Sequence, residues 1–199
     1  MECAYKYLGV TITSKMDWEE HMNNIINKAN KTLGFLRRNL KISSIPIKEK
    51  AYKAFVRPLL EYSAPVWDPY TQKGASRLEA VQRRAARFVL NRYHNTSCVS
   101  RMLDSLQWPS LESRRRNARL VMLYKIHHQT VACPLIRSKL LAAPKRQRRG
   151  HDQQFQLSTL RTKYRRGSVV PRTIREWNEL PSRTVTSETL DTFVSRLVH

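Results

Sequence analysis

The chain has 199 residues, and 37 Lys and Arg against 15 Asp and Glu give it a formal charge of +22. A hydrophobic fraction of 41% is too high for a wholly disordered tail, and 5 glycines are too few for a turn-rich sandwich or barrel. No apolar run approaches the ~18 residues of a membrane span, so no membrane partner is expected. The segment Met1 to Lys6 lacks the apolar core of a signal peptide. Cys3, Cys98 and Cys133 are odd in number and far apart, which argues against a disulfide framework and for a reducing compartment. His94 and Cys98 have the spacing of half a zinc site, but no second pair lies near, so no metal or cofactor is expected.

Tyr5 to Ile12 is rich in aromatic and β-branched residues and predicts a single strand, with Gly9 at a bulge or close approach. One strand cannot complete its own ladder, so its partners are expected from elsewhere. Asp17 and Glu20 predict a capped helix start. Met22, Ile25, Ile26, Ala29, Leu33, Leu36 and Leu40 then form one apolar stripe, closed by Arg37, Arg38 and Lys41. A second helix is expected from Pro46, burying Ala51, Tyr52, Phe55, Val56 and Leu59 and kinked at Pro58. Tyr62 to Tyr70 is expected to be extended between prolines. A third helix is predicted over 75–93, with Leu78, Val81, Ala85, Phe88 and Val89 as its apolar face. A short helix over 99–106 ends at Trp108-Pro109, and another begins there with Glu112 in its first turn. Beyond Pro134 the composition turns basic. Short helices are expected around Ile174, Trp177 and Leu180, and around Leu190, Phe193, Val194 and Leu197.

A sequence pI near 10.6 points to an anionic partner, of which nucleic acid is the commonest. Arg77, Arg83, Arg84 and Arg87 lie opposite the apolar stripe of the third helix and are the first candidates for phosphate contacts. Arg114, Arg115, Arg116 and Arg119 come second, and Lys145, Arg146, Arg148 and Arg149 third. The last run fits a nuclear import signal and an RNA contact equally well. Six contacted phosphates would give a log–log salt slope of roughly −5 on duplex DNA, without sequence specificity.

Catalytic chemistry has no visible constellation. Asp17, Asp68, Asp104, Asp152 and Asp191 are scattered, with no adjacent Asp pair to hold two metal ions. No glycine-rich phosphate loop, Gly-x-Ser-x-Gly elbow or His-Glu-x-x-His is present, and no small-molecule substrate is expected.

The order of motifs resembles the tail of a reverse transcriptase. The pieces are Tyr7-Leu8-Gly9-Val10; Trp18-Glu19-Glu20-His21; Lys53 to Tyr62 with Pro65-Val66-Trp67; Leu78 to Phe88; Leu106 to Glu112; and Pro171 to Pro181. Together they are similar to the non-LTR retrotransposon reverse transcriptases of the jockey-like kind. The resemblance implies a mainly α fold: a residual palm strand over 1–13, thumb-like and connection helices over 14–133, a basic flexible loop over 134–168, and short C-terminal helices over 169–199. It also implies that the metal-binding Asp-Asp hairpin lies upstream. The chain then looks like a truncated copy that binds nucleic-acid backbone non-specifically and does not polymerise by itself. Ser168-Val169-Val170 departs from the bulky aromatics that the family places before Pro-Arg-Thr. The rival expectation is a non-functional or self-associating fragment that pairs through the strand edge of Tyr5 to Ile12.

Overall fold

A computed structural model describes residues 4–15, 17–94, 97–138, 140, 151–157 and 167–198. The protein is mainly helical and has one two-stranded antiparallel sheet among the described residues. It divides into two compact units, Met1–Arg114 and Arg115–His199.

The strand expected over Tyr5 to Ile12 is a hairpin. Strand β1 (Ala4–Tyr7) pairs with β2 (Val10–Thr13), Tyr7 opposite Val10 and Ala4 opposite Thr13. Leu8 and Gly9 both have positive φ, 44° and 83°, as a tight two-residue hairpin turn requires. Gly9 is therefore a turn residue rather than a bulge, and the ladder partners come from the chain itself. The turn is hidden in the sequence because Leu8 is an ordinary apolar residue at a position that favours Gly or Asn. The Tyr62 hydroxyl donates to the Leu8 carbonyl at 3.0 Å and holds the turn in place.

All of β1 is exposed, whereas Val10, Thr11 and Thr13 of β2 are buried. The Thr11 N–H points away from β1 and donates to His21 Nδ1 at 3.2 Å. His21 is 2% exposed and meets the Trp67 ring edge-on at 5.1 Å. Burial pushes its pKa below the ordinary 6.5, as it does for His127 in the second unit. Below about pH 6.5 the unfolded chain therefore binds protons that these two folded histidines refuse, so stability falls as pH drops through that value. Urea midpoints at pH 7.5 and 5.5 check this. The lower midpoint is expected at pH 5.5, and an unchanged one would contradict it.

Helix α1 (Glu19–Asn39) starts one residue later than the sequence suggests, with Trp18 rather than Asp17 at its N-cap. Asp17 is drawn back toward β2, where its carbonyl accepts the Thr13 hydroxyl at 3.2 Å. With Trp18 as cap, Glu20 falls at the second helical position and the reciprocal capping box does not form. The apolar stripe is as expected: Met22, Ile26, Ala29, Leu33 and Leu36 are buried, and Ile25 and Leu40 pack against the same core.

Helix α2 (Ile45–Ala51) runs through a π-helical turn (Tyr52–Val56) into α3 (Arg57–Glu61). Pro58 has no N–H for an intrahelical bond, and the widened turn accommodates it. The extra residue shifts the buried face, so Tyr52, Val56 and Leu60 are in the core. Phe55, expected inside, is 61% exposed. The stretch expected to be extended contains a short helix, α4 (Ala64–Trp67), entered through Ser63 at φ 53° with Pro65 in its first turn. Trp67 is fully buried, and its indole N–H donates to the Tyr62 carbonyl at 2.7 Å. Tyr70 stays 47% exposed.

Helix α5 (Gln72–Leu90) is capped by Thr71, whose hydroxyl accepts the Gly74 N–H at 3.2 Å. The close approach explains the glycine: a Cβ at Gly74 would lie 2.8 Å from Pro69 Cβ. Leu78, Val81, Ala85, Phe88 and Val89 are all buried, as expected. The core also holds a satisfied polar relay. The Tyr52 hydroxyl donates to Gln82 Oε1 at 3.1 Å, and Gln82 Nε2 donates to the Pro109 carbonyl at 2.9 Å. Burial, the largest cause, pushes the Tyr52 hydroxyl pKa well above its ordinary value, so it remains a donor. Trp108 stacks on Tyr52 with ring centroids 4.3 Å apart. Helix α6 (Val99–Ser105) precedes that tryptophan, and α7 (Leu111–His127) begins after Pro109. Glu79 accepts the N–H of Glu112 at 2.9 Å, in the first turn of α7.

In the second unit, three helices among the described residues follow a short one, α8 (Pro134–Arg137): α9 (Val169–Asn178), α10 (Ser182–Val185) and α11 (Leu190–Val198). Ile174, Trp177, Leu180 and Phe193 are buried together, while Val194 is 39% exposed.

Candidate nucleic-acid interface

The first candidate arginines share one face of α5. At 100° per residue, Arg77, Arg84, Arg87 and Arg83 fall within an arc of about 120°, opposite the buried side chains. Arg83 and Arg84 are exposed, and Arg77 and Arg87 are half-buried.

Helix α1 supplies the other wall. Arg77 hydrogen-bonds Asn23, and Arg84 hydrogen-bonds Asn30. Both pairs are separated by 54 residues in the chain. A constant difference across a seven-residue step means that α1 and α5 run parallel, side by side and in register. The next residue on the α1 ladder is Arg37. Its guanidinium lies over the Tyr93 ring, 5.1 Å from the centroid. Asn91 at φ 52° ends α5 in the left-handed conformation, and the Arg92 N–H closes back on the Arg87 carbonyl at 3.0 Å. That reversal brings Tyr93 against the groove between the two helices.

The charge on this face is unevenly compensated. Arg77 pairs with Glu19 at 2.7 Å, and that carboxylate competes with an outside anion for it. The hydrogen-bond partner of Arg84 is the neutral Asn30, which orients the guanidinium without cancelling its charge. Among the described residues, Arg37, Arg83, Arg84 and Arg87 form no ion pair. Four positive charges therefore remain on this pair of helices, and Arg37, Arg84 and Arg87 line the groove between them.

The second candidate set does not gather into a comparable face. Arg114 pairs with both carboxylate oxygens of Glu61, one contact at 2.9 Å, and that pairing raises its pKa. Arg115 is buried at 1% exposure. In the second unit, Arg119 is 4% exposed, and its Nη2 meets the two oxygens of Glu176 at 2.6 and 2.7 Å. Burial and the nearby Arg172 push the Arg119 pKa down, while Glu176 opposes them. Arg116 lies 3.9 Å from the same carboxylate. Alternation of Arg with apolar residues looks alike in sequence whether the cation is solvated or locked inside. The third set, Lys145, Arg146, Arg148 and Arg149, lies outside the described residues.

No protein-family model, curated protein or solved structure matches the chain. No helix among the described residues is long and apolar enough to cross a membrane. No group of three or more His, Cys, Asp or Glu side chains that could hold a metal ion occurs among them.

The sequence reading missed Arg37 and Tyr93 as members of this face. It assigned Arg37 only to the closing turn of α1. The signal was present: Asn23, Asn30 and Arg37 repeat every seven residues, as Arg77 and Arg84 do.

Proposed function

We propose that the first unit grips the sugar-phosphate backbone of nucleic acid, as the thumb-like part of a jockey-like non-LTR reverse transcriptase would. The observation that carries this reading is the cluster of four arginines, Arg37, Arg83, Arg84 and Arg87, without carboxylate partners on one pair of parallel helices. The ordered series of motifs supports the family, and the net charge of +22 supports an anionic partner. Side chains of this kind contact phosphates and carry no base code, so binding is insensitive to sequence. The role is passive: these residues position a strand, and the phosphoryl-transfer carboxylates belong to another part of the parent enzyme.

Fluorescence anisotropy of a 20-bp duplex, titrated at several salt concentrations, tests the reading. Four neutralised phosphates predict a log–log slope of about −3.6. That is shallower than the roughly −5 of six contacts because four contacts are counted. A slope near zero overturns the proposal. The self-associating fragment is the weaker reading, since β2 already pairs with one edge of β1 and leaves only the other edge for a second copy.

A further inference from the structure

We propose that the cavity between the C-terminal halves of α1 and α5 takes one unpaired nucleotide of a single strand. Its phosphate would sit among Arg37, Arg84 and Arg87, and its base against Tyr93. This inference rests on the backbone-binding reading and adds a selectivity that reading lacks.

The cavity measures about 430 Å³ and is lined by these four residues together with Gly34 and Phe88. That volume lies within the range of small-ligand sites. Three of the lining residues are arginines. The helix ends nearby oppose an anion, but each contributes only about half a negative charge, so two ends offset roughly one arginine and leave about two positive charges. A phosphodiester carries one negative charge and is outweighed.

Tyr93 supplies the second half of the chemistry. The residue is 44% exposed, and its ring carries Arg37 on one face. An aromatic ring beside an arginine plane offers a π-surface to a base, and every base of a single strand can present its face to it. The interior base pairs of a duplex cannot, because both their faces are covered by neighbouring pairs.

Gly34 points the same way. It lies in the interior of α1, where glycine weakens a helix. Protein packing does not require it: a Cβ there would meet only the tip of Arg38, at 3.7 Å. The glycine keeps one wall of the cavity free of a side chain.

The test uses the full chain with two fluorescein-labelled probes, a 12-nucleotide oligothymidylate and a blunt 12-bp duplex. Tyr93→Leu is expected to weaken the single strand about tenfold and to change the duplex less than twofold. Gly34→Leu, which fills the cavity while improving helix propensity, is expected to give the same selective loss with no drop in Tm. Salt-dependent duplex binding that persists while neither variant affects the single strand, or while both probes weaken equally, overturns the cavity assignment alone. A wild-type chain whose binding to both probes is flat with salt overturns the cationic face and the cavity with it.

Discussion

Trp177→Ala is expected to unfold the second unit and leave the first one folded. Trp177 is fully buried among Phe155, Phe193 and His127, with ring centroids 5.7 to 6.0 Å away. Its indole N–H donates to the Gln153 carbonyl at 3.0 Å, and its own carbonyl bonds His151 at the same distance. Removing a buried indole costs about 3–5 kcal/mol, and stranding the Gln153 carbonyl adds about 1–3 kcal/mol. At roughly 0.05–0.15 kcal/mol per residue, a unit of this size has about 4–13 kcal/mol in all, so the loss consumes most of it. The measurement is convenient because the other three tryptophans, Trp18, Trp67 and Trp108, all lie in the first unit. Their emission should stay blue-shifted in the variant while limited proteolysis cuts the second unit. A melting curve unchanged from wild type, or loss of the first unit's emission at the same temperature, would contradict the expectation.

The largest effect on binding is expected from Arg83→Ala, Arg84→Ala and Arg87→Ala combined. Each phosphate contact contributes about 0.9 to the salt slope, so the slope should shrink from about −3.6 to about −0.9. Between 50 and 200 mM salt, wild-type affinity then falls about 150-fold and the variant's only about 3.5-fold. The fold is not expected to suffer. These side chains are exposed or half-buried, and removing neighbouring like charges relieves repulsion. Arg114→Ala is the matched control: it breaks the bidentate pair with Glu61, so it should lower Tm and leave the slope unchanged. A triple variant with the wild-type slope, or an Arg114→Ala slope that shrinks by about one, would reassign the phosphate contacts.

Much of this protein is legible along the chain. The stripe Met22, Ile26, Ala29, Leu33, Leu36 and the stripe Leu78, Val81, Ala85, Phe88, Val89 are buried where their spacing places them. Helical periodicity is a local property, so a long amphipathic segment declares its face without a partner. The arc of arginines on α5 follows from the same arithmetic. The hairpin at Leu8-Gly9, the π-helical turn before Pro58 and the exposure of Phe55 do not. Each depends on a single residue that changes register, and a one-residue shift leaves composition untouched while turning a face away.

The arginines draw the same line more sharply. Sequence alone determined that the chain is mainly helical and strongly cationic. Tertiary structure alone decided which cations are available to an outside anion. Arg114 and Arg119 meet carboxylates more than fifty residues away, whereas Arg84 meets a neutral asparagine and keeps its charge. The Coulomb energy of a cation depends on what lies within a few ångströms, and for these side chains that neighbour comes from a distant stretch of chain.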